Sequence, residues 1–332
     1  MNANMSGAPP SVSVGAAAHS VATTSDGQFV YVGTDSGIAA FKIDSSVNLA
    51  PVIGSPFALA GSGVADMTVD RSGKFLFVVF SGSNMVASYP RDPVAGALNQ
   101  PTSAMTGSSP ISLTTEASGK YLYVSNRDSS NVTEFAITNG MLSPVLGSPI
   151  SDAREPSPVT GSGPIVAAGS YVNVVSDGWL LGYSIDAATG ALMPLPGQNG
   201  QAAGVLLPLN TVIVEAHAMV ADPKGNFLVT ANATPDTSPN FTQVIPVNST
   251  SGSVMQGPTQ QGVSGGATIS PLAIDAAGQH VYGVGFTDQT CVQNCARAVY
   301  SFSVSPSSIS EIGSTGVDIG SHGNDVIAAS PF

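Results

Sequence analysis

The chain has 332 residues, only 9% of them charged, and its 21 Asp and Glu outnumber 9 Lys and Arg to give a formal net charge of -12 at pH 7. Its 37 Gly and 24 Pro exclude a coiled coil or helical bundle, because such folds are rich in charged residues and poor in turn residues. The 42% of hydrophobic residues exclude global disorder, and the nine scattered basic residues argue against nucleic-acid binding.

No membrane-spanning or secretory segment is visible in the sequence. The densest apolar run, Phe75–Phe80, is far shorter than the roughly 20 residues that cross a bilayer. Residues 1–7 lack both the basic and the apolar region of a secretory signal. We therefore expect no transmembrane segment.

One short pattern recurs six times along the chain: a turn that ends in glycine and a hydrophobic strand that follows it. Clear copies are Asp26–Val32, Ser72–Val78 and Ser118–Val124. The marker glycines are 46 to 56 residues apart, which is the period of propeller blades. They stand at positions 27, 73, 119, 169, 225 and 278.

Each repeat predicts four antiparallel strands. An apolar strand enters the turn, a hydrophobic strand leaves it, and a third strand alternates in character, as in Ile38–Ile43. A proline-containing fourth segment, Leu49–Phe57, suits an edge strand, and its copy Leu142–Ile150 lies 93 residues later. Turn aspartates such as Asp70 and Asp275 are interpreted as structural, because an Asp side chain caps the first position of a type I turn.

The run Ser118–Asn126, with the later elements Gly140–Leu142 and Gly147–Pro149, resembles the YVTN-type β-propellers of the lactonase family. This family includes 6-phosphogluconolactonase-like and carboxymuconate-cyclase-like proteins. The resemblance covers nearly the whole chain and implies an all-β fold, a single β-propeller domain over residues 1–332 with four-stranded antiparallel blades. Members of the family usually have seven blades.

Only six repeats are recognised, so the seventh blade needs separate consideration. Asn324–Phe332 resembles the innermost strand Ala218–Pro223, and Ser11–Gly15 resembles an outermost strand. We expect residues 1–17 and 323–332 to supply closing strands of an incomplete seventh blade. A truncated chain and a ring of six blades are the alternatives.

Candidate site residues follow from the channel that the innermost strands of a propeller line. His19 and His217 each precede a marker glycine by eight residues and therefore share a register. The resemblance associates channel His, Glu and Arg groups with lactone chemistry, so His217 and Glu215 are the catalytic candidates, a general acid–base His and its carboxylate. Glu215 is expected to share the face of His217, because strand side chains alternate. His19, Arg127 and His322 are the candidate ligand-binding residues.

Two features of the sequence restrict this chemistry. The glutamate that the family often shows after the asparagine of the strand is absent, since Asn126 is followed by Arg127. No cluster of Lys and Arg is present to hold a phosphate, which disfavours a phosphorylated substrate. Ligands with zinc spacing are also missing, so we expect neither a metal nor a cofactor.

The two cysteines, Cys291 and Cys295, lie in a polar segment between two predicted strands. We predict a local disulfide, because zinc would need further ligands and a redox pair would have two intervening residues. A disulfide favours an oxidising compartment, so the expected location is extracellular or periplasmic, with the cytoplasm as the alternative.

Three functions remain open on the sequence. The first is a lactonase-like hydrolase or isomerase that acts on a small unphosphorylated lactone in the channel. The second is a non-catalytic extracellular propeller that binds a sugar, a peptide or a wall component, and the third is a scaffold module of a larger surface protein. Convergence of the candidate residues in one pocket would favour the enzyme.

Overall fold

The computed structural model describes residues 12–46, 48–152, 162–176, 178–198, 204–208, 215–233, 241–255, 257, 259–261, 269–286 and 297–317. These residues contain no helix, and their strands form six antiparallel sheets. In every sheet, four strands follow one another in chain order, and two of the sheets add a short fifth strand. The predicted all-β class is confirmed.

The sheets are numbered as blades 1 to 6. Blade 1 contains β1 (Ala18–Thr23), β2 (Phe29–Thr34), β3 (Ile38–Ile43) and β4 (Leu49–Pro51). Blade 2 contains β5 (Val64–Val69), β6 (Phe75–Phe80), β7 (Met85–Pro90) and β8 (Thr102–Met105). Blade 3 contains β9 (Pro110–Thr115), β10 (Tyr121–Asn126), β11 (Asn131–Thr138), β12 (Met141–Pro144) and β13 (Ile150–Ser151). Blade 4 contains β14 (Ser162–Ala168), β15 (Tyr171–Ser176), β16 (Trp179–Ile185), β17 (Leu192–Pro194) and β18 (Val205–Pro208). Blade 5 contains β19 (Glu215–Ala221), β20 (Phe227–Ala233), β21 (Phe241–Pro246) and β22 (Thr259–Gln261). Blade 6 contains β23 (Ile269–Ile274), β24 (His280–Phe286), β25 (Arg297–Ser305) and β26 (Ser308–Val317).

The first strand of each blade is the innermost strand of the ring. β1 packs against β5, and the same neighbour contact is repeated from β5 to β9, β14, β19 and β23. The blades therefore surround a common axis, and the free edges of their first strands border a central channel, which confirms the predicted propeller. Of the predicted closing segments, residues 1–11 and 323–332 lie outside the described part of the chain, and residues 12–17 precede β1 without forming a strand.

The marker glycines occupy equivalent hairpin turns, as predicted. All six have a positive φ between 61° and 72°, a backbone conformation that only glycine adopts without strain. Asp70 shows why the turn begins with an acid: its Oδ1 accepts the backbone N–H groups of Lys74 and Phe75 at 2.7 Å. Asp275 accepts those of Gln279 and His280 in the same way. These contacts confirm the structural interpretation of the turn aspartates.

A second set of glycines forms packing contacts between neighbouring blades. In the hairpin between the third and fourth strands of blades 2 to 5, a glycine with positive φ covers an aromatic ring at the start of the second strand of the preceding blade. A β-carbon at any of these glycines would overlap that ring or come within 2.6 Å of it. The Gly-x-Leu element of the sequence is therefore a contact between blades. The pairs are Gly96 with Phe29, Gly140 with Phe75, Gly190 with Tyr121, and Gly252 with Tyr171.

The Gly-Ser-Pro elements explain the proline-rich outer segments. After Pro51 and after Pro144 the outermost strand leaves the sheet in a turn and then pairs again with the third strand. Within the turn, Ser55 and Ser148 each accept a backbone N–H of the third strand through the side-chain oxygen, at 2.9 and 2.8 Å. The serine hydroxyl thus replaces the missing strand carbonyl, and the prolines lie on edge strands as predicted.

The interface between blades 4 and 5 contains two buried amides without partners. Asn173 lies between Tyr171 and Val175, which pack in this interface, and Gln243 lies two residues before Ile245, which packs in the same cluster. Both side chains are about 1% exposed, and neither amide oxygen nor amide nitrogen forms a hydrogen bond. A buried polar group without a partner loses its hydration without compensation.

Replacing Gln243 with the similarly shaped Met is therefore expected to stabilise the protein by about 1–3 kcal/mol, the usual cost of an unsatisfied buried group. Asn126→Leu is the control, since the Nδ2 of this equally buried amide donates to Asn131 Oδ1 at 2.8 Å and to Thr133 Oγ1 at 2.9 Å. The free energies of unfolding in urea should change in opposite directions. A destabilised Gln243→Met variant would contradict the prediction.

Candidate functional site

The innermost strands share a β-bulge at the end of the ring where they begin. In β1, Ala18 pairs with Thr34 and Ser20 with Gly33, so His19 is the extra residue. In β19, Ala216 pairs with Asn232 and Ala218 with Ala231, so the extra residue is His217. The predicted common register of the two histidines is thus confirmed in the backbone. We call this end of the propeller the histidine end.

His19 forms a side-chain hydrogen bond with Asp35, a residue that sequence reasoning did not single out. Its Nε2 lies 2.6 Å from Oδ1 of Asp35, in the turn between β2 and β3. The side chain of His19 is 26% exposed and that of Asp35 is 65% exposed, so solvent reaches the pair. A carboxylate at this distance holds the imidazole ring in one orientation by a hydrogen bond.

Asp66 connects the innermost strands of blades 1, 2 and 3. Its Oδ1 accepts from the hydroxyl of Ser20 at 3.1 Å, and its Oδ2 accepts from the hydroxyl of Ser112 at 3.0 Å and from the backbone N–H of Leu113 at 3.1 Å. The backbone N–H of Met67 also donates to Oδ1 at 2.8 Å. The residue is half-buried, on a strand whose free edge borders the channel. Asp66 therefore ties three blades together directly beside His19.

Desolvation raises the pKa of the Asp66 carboxyl above its ordinary value, against the lowering effect of its four hydrogen bonds. A carboxyl whose pKa is higher in the folded than in the unfolded state stabilises the fold while it is protonated. This stabilisation is lost as the pH rises above the ordinary pKa of the group towards its raised pKa in the folded state. Asp66→Asn removes the titration. We expect the stability of the variant relative to the parent to increase from about pH 3 to about pH 8, measured by urea unfolding. A relative stability that decreases over this range would contradict the raised pKa.

Arg127 occupies the position in blade 3 that Asp35 occupies in blade 1. Each follows the last residue of the second strand, eight residues after a marker glycine. The backbone N–H of Arg127 donates to the carbonyl of Ser109 at 2.9 Å, and the side chain is exposed. Arg127 thus lies at the histidine end, two blades away from the His19 pair.

The structure describes the catalytic candidates Glu215 and His217 only through their backbone, within β19. The bulge at His217 interrupts the regular alternation of the strand. Alternation therefore no longer supports the expectation that Glu215 and His217 share a face, and their catalytic roles stay a prediction. His322 and the predicted disulfide between Cys291 and Cys295 lie outside the described residues.

The residues that sequence reasoning missed are Asp35 and Asp66. A signal for Asp66 was present, since Ser20, Asp66 and Ser112 are 46 residues apart and fall one position after the bulge in successive repeats. An acid among serines at one repeat position, on an innermost strand, indicates a polar connection around the channel. A signal for Asp35 was also present, because it stands in blade 1 at the position of Arg127 in blade 3, where the resembled family often shows a glutamate.

Within the described residues, no three His, Cys, Asp or Glu side chains gather as a metal site would require. The same part of the chain holds no helix long and apolar enough to cross a membrane.

Residues 47–159 match the sequence model of a family described as Lactonase, 7-bladed beta-propeller. No curated protein matches the chain significantly. Among solved structures, a periplasmic gluconolactonase of Pseudomonas aeruginosa, PpgL, is 16% identical with a TM-score of 0.64, over 92% of this chain and 86% of that one. A candidate 6-phosphogluconolactonase from Bacteroides fragilis is 14% identical with a TM-score of 0.64, over 90% and 84%.

The fold is also shared with propellers outside this group. The β-propeller domain of Cps50 (Swd1) from Myceliophteria thermophila is 13% identical with a TM-score of 0.66, over 98% of this chain and 93% of that chain. Likeness at this level of identity shows the propeller architecture, and the family match rests on residues 47–159. Over residues 47–159 the resemblance to the lactonase family of seven-bladed β-propellers is thereby confirmed.

Proposed function

We propose that this protein is a lactonase-like enzyme that hydrolyses a small unphosphorylated lactone at the histidine end of the channel. The observation that carries the proposal is the His19–Asp35 pair at the bulge of an innermost strand, in the register that His217 also occupies. A histidine held by a carboxylate at a solvent-accessible edge is suited to general acid–base chemistry.

The proposed reaction uses these groups as follows. A neutral imidazole accepts a proton from water while the water oxygen attacks the lactone carbonyl, and Asp35 stabilises the imidazolium that forms. The tetrahedral intermediate then expels the ring oxygen, the acyl C–O bond breaks, and the imidazolium returns a proton to the leaving alkoxide. The product is the open hydroxy acid, and the histidine is regenerated.

The distribution of basic residues supports an unphosphorylated substrate. Lys74, Lys120 and Lys224 lie on turns between first and second strands, at the end of the blades opposite the histidines. Two basic residues of the described part lie at the histidine end, Arg127 of blade 3 and Arg297 at the start of β25 in blade 6, and they are three blades apart. A phosphate is usually held by several Arg or Lys donors, whereas a neutral polyol lactone needs only polar contacts.

The test compares gluconolactone with 6-phosphogluconolactone as substrates for the parent protein and for the variants His217→Ala and Glu215→Gln. We expect faster turnover of gluconolactone, and a rate loss of about 10²–10⁴-fold when an acid–base group is removed. No rate above buffer in the parent would reject the enzyme and favour the alternative, a non-catalytic binding or scaffold propeller. Parent-like rates in both variants would reject the catalytic roles of His217 and Glu215.

A location outside the cytoplasm is part of this proposal, because the predicted Cys291–Cys295 disulfide would need an oxidising compartment. Thiol titration of the denatured protein, isolated from its native compartment, tests the bridge. Two free thiols would reject both the disulfide and the argument for location.

A further inference from the structure

Four residues other than glycine have a positive φ in the part of the chain that the structure describes. Three of them lie in hairpin turns between neighbouring strands of blades 2 and 3, where a left-handed residue is common: Asn84, Ser130 and Asn139. Ser109, with a φ of 55°, is different, because it directly precedes β9, the innermost strand of blade 3. Its backbone conformation is therefore not explained by a hairpin.

The repeats show what the backbone requires at the position of Ser109. The residue directly before the innermost strand of blade 2 is Gly63, with a φ of 70°. The two carbonyl groups accept equivalent backbone N–H groups, from Ser81 to Gly63 at 2.8 Å and from Arg127 to Ser109 at 2.9 Å. Glycine adopts a positive φ without strain, whereas a residue with a β-carbon does not, and Pro110 restricts Ser109 further. Blade 3 thus has a serine where glycine would serve the fold better.

Contacts on both sides hold Ser109 in this conformation. Its backbone N–H donates to Oδ1 of Asn84 in blade 2 at 2.8 Å, and its carbonyl accepts the N–H of Arg127. Strained residues persist where the surrounding structure fixes them, and they concentrate at active sites and ligand clamps. Ser109 is half-buried, and its hydroxyl forms no hydrogen bond with any residue that the structure describes. The strained residue therefore has a hydroxyl group that is available to a ligand.

Ser109 lies at the mouth of the channel, at the histidine end. Its counterpart in blade 1 is Ala17, two residues before His19, and the carbonyl of Ala17 accepts the backbone N–H of Asp35 at 3.3 Å. The Ser109–Arg127 contact of blade 3 thus corresponds to a contact directly beside the His19–Asp35 pair. The same rim of the ring carries the proposed acid–base group in blade 1 and the available hydroxyl in blade 3.

We propose that the hydroxyl of Ser109 binds a hydroxyl group of a polyhydroxylated lactone at the mouth of the channel. A serine hydroxyl both donates and accepts a hydrogen bond, which suits a neutral sugar hydroxyl. The inference rests on the proposed function, from which it takes the class of ligand. It adds a residue that distinguishes hydroxylated from unhydroxylated lactones, and the strain at Ser109 is the cost of that contact.

Equilibrium binding of gluconolactam, an analogue of gluconolactone that resists hydrolysis, tests the contact apart from catalysis. We expect Ser109→Ala and Ser109→Gly each to raise the Kd roughly 3–10-fold, the usual effect of losing one neutral hydrogen bond. Ser130→Gly is the matched control, because it makes the same substitution at a φ of 45° in a hairpin of the same blade. Its Kd should stay at the parent value. Parent-like Kd values in both Ser109 variants would overturn the proposal.

Urea unfolding of the same variants separates the contact from an effect on folding. The midpoint of Ser109→Gly should lie above that of Ser109→Ala, because only glycine relieves the strain of the positive φ. Weaker binding by the more stable of the two variants cannot result from a damaged fold. A midpoint of Ser109→Gly at or below that of Ser109→Ala would contradict the strain on which the proposal depends.

Rates with two lactones distinguish a failure of this inference from a failure of the proposed function. In both Ser109 variants, kcat/KM for gluconolactone should fall roughly 3–10-fold, whereas kcat/KM for δ-valerolactone, which has no hydroxyl group, should stay at the parent value. An equal fall with both lactones would overturn the contact. If the parent binds gluconolactam but hydrolyses neither lactone, the proposed enzyme is rejected and the Kd values alone decide the role of Ser109. A parent that does not bind gluconolactam would overturn the inference.

Discussion

Replacing His19 by Ala is expected to slow lactone hydrolysis by about 10²–10⁴-fold, the usual contribution of a general acid–base group. The reason lies in its position, on the bulge of an innermost strand and 2.6 Å from Asp35. Asp35→Asn should cause a smaller loss, because an amide still accepts a hydrogen bond from Nε2 but stabilises the imidazolium less. The expected order of rates is parent, then Asp35→Asn, then His19→Ala, measured with gluconolactone.

The protein contains its own control for this prediction. His280 also pairs with an aspartate, Asp275, at 2.8 Å, but beside the turn that follows β23, at the end of blade 6 opposite the histidine end. His280→Ala removes a His–Asp pair of the same chemistry from the other end of the ring, so the rate should stay at the parent value. Equal losses in His19→Ala and His280→Ala would show that the rates report folding rather than catalysis.

The architecture could be predicted from the sequence because the turn that identifies each repeat has a strict physical requirement. A hairpin that ends with φ near 70° needs glycine, so Gly27 and its five counterparts can be recognised in the sequence even where the sequences of the adjoining strands differ between repeats. The outer Gly-Ser-Pro element was equally visible, since Ser55 and Ser148 keep the same backbone contact 93 residues apart. The number of blades is harder to predict, because it depends on how the ends of the chain meet.

The candidate site was only partly predictable, because its contacts join different repeats. The register of His19 and His217 follows from counting along one strand, and the structure confirms it in the backbone. The bulge itself could not be predicted from the spacing of residues, although it decides on which face of the strand each side chain lies. The contact from Asp66 to Ser112 joins the same register on neighbouring blades, so it follows only once the repeats are aligned and closed into a ring.

Replacing Gly140 by Ala is expected to destabilise the protein by more than the same change at a glycine of similar φ whose added β-carbon would contact no other residue. Gly140 has a φ of 77°, and a β-carbon there would overlap Cε1 and Cδ1 of Phe75 and lie 2.7 Å from Cζ. The left-handed conformation alone costs roughly 1–2 kcal/mol for a residue with a β-carbon. Overpacking against the ring should add about 1–3 kcal/mol, because the ring is held between blades 2 and 3.

Gly27→Ala separates these two costs. Gly27 has a φ of 67°, close to that of Gly140, but a β-carbon there meets nothing within 4 Å. Both variants therefore lose the freedom of glycine, and only Gly140→Ala pushes on a ring of the neighbouring blade. In urea unfolding, the free energy of unfolding of Gly140→Ala should lie below that of Gly27→Ala by the overpacking cost of about 1–3 kcal/mol.

A second substitution, Phe75→Leu, should recover part of that difference in the Gly140→Ala background, because a smaller side chain leaves room for the methyl group. Equal stabilities of the two glycine variants would mean that the Gly-x-Leu element serves only the hairpin conformation and not the contact between blades.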